Sequence, residues 1–288
     1  MRKLFSRQLV EARHEMLAIY EAIDLTLHDA VHAFVTGDKK LASKTKKRTL
    51  QIDARCANLE AVCYNLIATQ GPVASDFRLL QTIIYTDFCL QRMCDKVRRV
   101  ARAAKLRVSS EIELPAELIE LVKQEASSVY KVMGTAASVL VTNDLGLLCT
   151  LSDQEESAHG IYEEFFRAYN RMVTVELTDD RSYDDLRRVI MVSRYLDRCA
   201  QYAIDAAGRI AFLLTGQRLN SGDIAGFDED DLEALRVPSG EGVILRPAID
   251  AQSVAEIPLD EVTPELRELI ENPVDEDEDD EEEEDDLA

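Results

Sequence analysis

An all-α fold, two tandem three-helix bundles followed by an acidic tail, is what this 288-residue chain predicts, and three observations carry the prediction. Apolar residues recur at helical spacing through the first 216 residues, where strand-like alternation is scarcely visible. Glycine, proline and capping residues cluster at intervals and cut this stretch into six segments of roughly 25 to 35 residues. The last three segments then repeat the first three at an offset of 106 residues.

In the first segment Ile19, Ile23, Leu27 and Phe34 keep to one helical stripe, and Gly37 with Asp38 ends it. The second carries Ile52, Cys56, Leu59, Cys63 and Leu66 at spacings of 4, 3, 4 and 3, and stops at Gly71 and Pro72. The third opens with QGPVASDFR, Gln70 to Arg78, and runs through LQRMCD, Leu90 to Asp95, until Val108 to Pro115 breaks the pattern. An apolar fourth segment ends at Asn143 and Asp144, and the fifth ends between Thr178 and Ser182. The sixth takes DDLR, Asp184 to Arg187, into LDRCAQ, Leu196 to Gln201.

Two points fix the register of the repeat. VTGD at Val35 to Asp38 matches VTND at Val141 to Asp144, and Leu90 to Arg92 matches Leu196 to Arg198, both at 106 residues. The DFR and DLR strings lie 109 apart, so arginine to arginine is 14 residues in one copy and 11 in the other. Both spacings are near whole numbers of helical turns and keep one face. Short connections favour antiparallel neighbours, so residues 1–110 and 111–216 should each form a three-helix bundle.

The net charge of −22 is unevenly distributed. Residues 1–110 carry 19 Lys+Arg against 11 Asp+Glu, residues 111–216 carry 10 against 18, and residues 217–288 carry 4 against 26. The last segment ends in twelve consecutive acids, Asp275 to Asp286, which repel one another, so 217–288 is expected to be largely disordered. Thr263 and Pro264 offer an N-cap and a first-turn proline for a short amphipathic helix over 263–272. The basic first copy is expected to attract the acidic tail at low salt. Its charge lacks interleaved aromatics or a recognition motif, so nucleic acid is not an expected ligand.

No window approaches the ~20 apolar residues of a bilayer span, so membrane insertion is not expected and the location should be cytoplasmic. The six cysteines fall in apolar helical patterns without a CxxC pair and read as buried thiols.

The strings QGPVASDFR and LQRMCD, with their downstream counterparts, resemble the paired signatures of the PhoU family, accessory regulators of bacterial phosphate uptake. Pro72, Val73, Ala74, Asp76 and Arg78 match the signature that opens the third helix, and Leu90, Arg92 and Asp95 match most of the one further along it. The likeness covers residues 1–216. It implies a non-catalytic adaptor and homodimer that contacts a phosphate ABC transporter ATPase and a phosphate-sensing histidine kinase, and represses signalling when phosphate is plentiful. Its place would be the cytoplasm, peripheral to the inner face of the plasma membrane through those partners.

PhoU-like proteins hold iron or zinc clusters on acids of these motifs, so the resemblance points to Asp95 and Asp197 as metal positions. Each acid pair is halved here, however, with Gln91 and Gln201 at the other positions. A glutamine oxygen can coordinate but brings no charge, and Asp87 and Asp205, one turn away, are the candidate substitutes. The residues expected to meet partners are Arg78, Arg92, Lys96 and Arg99 in the first copy and Arg187 and Arg198 in the second. A metal-binding module outside phosphate signalling is the alternative. A ferritin-like di-iron oxidase is the remote one, resting on Glu11 with His14 and Glu156 with His159, 145 residues apart instead of 106. His28 and His32, one turn apart, form a further candidate pair. No nucleophile elbow, phosphate loop or zinc-protease string occurs, so an enzyme is not expected.

Overall fold

The structure, a computed structural model, describes residues 2–109, 114–176, 180–218 and 231. The described residues form six helices and no strand: α1 Arg2–Thr36, α2 Lys39–Gln70, α3 Ala74–Ser109, α4 Ala116–Thr142, α5 Gly146–Glu176 and α6 Asp180–Thr215. The expected short helix over 263–272 and most of the acidic tail lie outside the described residues. Helix α5 is described to Glu176 and α6 from Asp180, and residues 177–179, where the expected break between Thr178 and Ser182 begins, lie outside the described residues.

The turns follow from residues that tolerate or create them. Gly37 takes a left-handed φ of 72°, and Asp38 then caps α2 by accepting the Leu41 amide at 2.9 Å. At the equivalent place in the second copy Asn143 takes φ 59°, and Asp144 accepts the Gly146 amide at 2.8 Å. VTGD and VTND are thus the same turn made twice. Gly71 closes α2 at φ 56°, and Pro72, which cannot donate to a helical carbonyl, keeps the chain out of helix until Ala74.

The apolar stripes become the core. Ile19, Ile23, Leu27 and Phe34 are wholly buried, as are Cys56 and Cys63, with Ile52, Leu59 and Leu66 at 2% exposure. Cys89, Cys94 and Cys199 are also buried, and burial pushes these thiols and that of Cys63 up to about 12, so they pack as small apolar groups. Cys149 is half-buried.

Within each copy all three helices pack on one another, and the most extensive contact of all joins the copies, α3 against α6. That pair is antiparallel: Tyr85 meets Arg209, Met93 meets Cys199 and Arg99 meets Tyr195. Met93 and Cys199 are 106 residues apart, so the same repeat position from each copy meets at the crossing. The α1 and α4 pair is antiparallel too, with Arg13 against Leu140, Tyr20 against Met133 and His28 against Tyr130. The two copies are therefore related by a pseudo-two-fold axis, and one continuous core runs through both.

One buried cation locks this arrangement. Arg13, 5% exposed, donates from Nη2 to the carbonyls of Leu140 and Val141 and to Oδ1 of Asn143, at 2.9, 3.4 and 2.8 Å. Those carbonyls are the orphan acceptors at the end of α4, where a cation also suits the helix dipole. Burial pulls Arg13 down to about 10, still charged at neutral pH. Replacing it by methionine keeps the apolar stem and abandons the acceptors. Arg13→Met should lose about 2 to 3 kcal/mol in denaturant unfolding, whereas the exposed Arg7→Met should lose less than about 0.5.

Candidate functional site

The predicted metal and partner positions lie along α3 and α6, which meet at the pseudo-two-fold axis. On α3, Oδ2 of Asp95 accepts from Lys96 Nζ at 2.8 Å and from Arg99 Nε at 3.2 Å. Burial alone would push Asp95 up, yet these two cations bring it below its ordinary value. Gln91 turns the other way. Its Nε2 donates to Oδ2 of Asp87 at 2.9 Å, one turn back along the helix, so Gln91 and Asp95 share no target.

On α6, Gln201 Nε2 points at Oδ2 of Asp197 at 3.4 Å, and its oxygen accepts from Arg198 Nη1 at 2.5 Å. Burial raises Asp197, with Arg198, His159 and Arg194 partly offsetting it. Asp205 is likewise raised by burial and eased by Arg209.

The donor set does not fit a multinuclear metal cluster. A di- or trivalent ion needs several anionic or carbonyl oxygens aimed at one point. Here Asp95 is already met by two cations, and the amide nitrogen of Gln201, not its oxygen, faces the carboxylate. Among the described residues no three His, Cys, Asp or Glu converge on a common point.

The expected partner residues divide. Arg92, Arg99, Arg187 and Arg198 are exposed, Arg92 lying over the Phe88 ring at 5.0 Å. Arg78 is half-buried and Lys96 only 19% exposed. Much of the first copy's positive charge serves the fold. Arg98 pairs with Asp53 and Arg48 with Asp29, Arg55 meets Glu15 at 2.8 Å, and Arg107 caps the Phe34 and Val35 carbonyls at the end of α1. The basic face is accordingly narrower than the composition suggests.

The Glu-x-x-His pairs do not converge in a core: Glu11, Glu156 and His159 are exposed, Glu11 pairs with Arg7, and only His14 is half-buried. His28 stacks on Tyr130 with ring centres 3.5 Å apart and sits 4.0 Å from Asp24, in an open cleft that His32 and Lys123 also line.

Two features escaped the sequence reading. The string Asp-x-Cys-x-Gln occurs twice, Asp87 to Gln91 and Asp197 to Gln201, each with the amide aimed back at the aspartate. These copies are 110 residues apart, one turn out of the main register, which hides them from a search at 106. The second feature is Glu125, 1% exposed in α4 and held well above the usual carboxylate range by burial. Among the described residues neither of its oxygens has a partner of ordinary hydrogen-bond geometry, and the nearby Ser193 hydroxyl only tempers the shift.

Known proteins place this geometry in context. Residues 17–104 match the PhoU domain. The chain is 26% identical over 212 residues to the phosphate-specific transport system accessory protein PhoU homolog of Pseudomonas aeruginosa, covering 74% of this chain and 86% of that protein. A Pseudomonas putida homolog of the same description is 25% identical over 241 residues, 81% of this chain and 92% of its own length. The crystal structure of PhoU from Pseudomonas aeruginosa superposes with a TM-score of 0.68 at 24% identity, over 74% of this chain and all of that one.

Asp87 offers a measurable consequence. It is 1% exposed, and burial raises it to about 6, with hydrogen bonds from Gln91 and the Cys56 thiol opposing that rise and Glu60 adding to it. Between its ordinary value near 3.8 and about 6, the unfolded chain ionises this group while the folded chain keeps its proton. Stability therefore falls as pH rises through that window and is constant above it. Asp87→Asn removes the titration, so its melting temperature should gain on the parent from roughly pH 4 to pH 6.5 and then hold a steady lead. Parallel curves across that range would contradict the assignment.

Proposed function

We propose, from the premise that this chain belongs to the PhoU family, that it is an accessory protein of phosphate transport acting as a non-catalytic adaptor. The observation that carries this reading is the duplicated six-helix frame with both signature strings on α3 and α6, aligned with PhoU homologs over most of their length. The adaptor contacts the transporter ATPase and the phosphate-sensing kinase and holds signalling down when phosphate is abundant. Its working surface is the solvent side of α3 and α6, where Arg92, Arg99, Arg187 and Arg198 reach water. None of the six helices is long and apolar enough to cross a membrane, so membrane proximity comes through the partners.

Exposed arginines steer association more than they deepen affinity, and salt screens them over about 10 Å at 0.1 M. Crosslinking followed by capture, with the ATPase and the kinase as prey, should recover at least one of them. Recovery should fall as salt rises, and Arg92→Ala with Arg198→Ala should weaken it several-fold at low salt. Failure to recover either prey would defeat the proposal.

A further inference from the structure

We infer that this chain does without metal at its duplicated motifs, its own basic and amide groups filling the places a cation would take between paired carboxylates. At the first motif a metal approaching Asp95 would have to displace both Lys96 and Arg99, which already bring two positive charges to that one carboxylate. It would gain no second anion, because Gln91 is neutral and its amide is committed to Asp87. At the second motif the amide N–H of Gln201 lies on the Asp197 side, where a metal needs an oxygen, and the amide oxygen is held by Arg198. Turning the amide over would break both contacts. The two Asp-x-Cys-x-Gln strings make the arrangement systematic: each glutamine restrains an aspartate on its own helix where a metal-binding helix would offer two carboxylates one turn apart. Charge compensation at Asp95 is thus internal and does not call on a metal.

The test uses the full chain, stripped with EDTA, dialysed against Zn²⁺ and separately against Fe²⁺, then desalted. Metal per chain is read by mass spectrometry, and the melting temperature is followed with and without chelator. Because the terminal run of acids can hold zinc loosely, Asp95→Asn with Asp197→Asn is measured in parallel. Expected are retention well below about one ion per chain, or retention that the double variant leaves unchanged, and a melting temperature indifferent to EDTA. About one or more ions per chain, lost in the double variant, would overturn the inference. Should that variant fail to fold, a parent whose melting temperature drops by several degrees in EDTA overturns it alone.

Discussion

The antiparallel packing of α3 on α6 is the contact on which the remainder of the molecule depends. Within each copy the three helices pack on one another, and apolar strips of α3 and α6 also pack on each other across the copies, in one shared core. Met93 and Cys199, the same position in each copy, meet where these helices cross, so one surface serves as both halves of the interface. The same operation brings α1 against α4, where Arg13 and Tyr20 reach the backbone of the opposite copy. Burying the strips from both copies in one core makes the six helices a single body with a continuous interior.

The cations divide between fold and surface. A guanidinium can satisfy several acceptors at once while its stem packs on apolar neighbours, which suits it to helix ends and to gaps between helices. Arg13 and Arg107 each cover carbonyls at the end of another helix, and Arg48, Arg55 and Arg98 tie α2 to its neighbours. The cations left on the outer side of α3 and α6 form a narrower band that includes aromatic support, Phe88 beneath Arg92 and Tyr85 beneath Arg209. The field such a band presents depends on the placement of its charges more than on the total charge.

The candidate site was only half legible in the sequence. The missing acids at Gln91 and Gln201 could be read directly, because the signature strings fix the positions to compare. What the glutamines do instead could not be read. An amide can present oxygen or nitrogen to the same neighbour, and the choice is made by the other groups in reach: Asp87 for Gln91, Asp197 and Arg198 for Gln201. Glu125 was missed for a related reason. In sequence it is one polar residue among several, flanked by Lys123, Gln124, Ser127 and Ser128, and its burial depends on α4 turning that face inward against α6.

The sequence by itself determined the six helices, their breaks, the core stripes and the duplication. These rest on local rules: a period of 3.6 residues, and turn chemistry carried by Gly37, Asp38, Gly71, Pro72 and Asn143, all within a few residues of where they act. Only the tertiary structure decided which arginines are spent on the fold, which carboxylates are buried, and how the two copies meet. Arg13 and its acceptors are 127 to 130 residues apart, and Arg98 lies 45 from Asp53, so no local pattern announces these pairs. They are set by the register in which rigid helices cross, a property of the packed faces and not of any one helix.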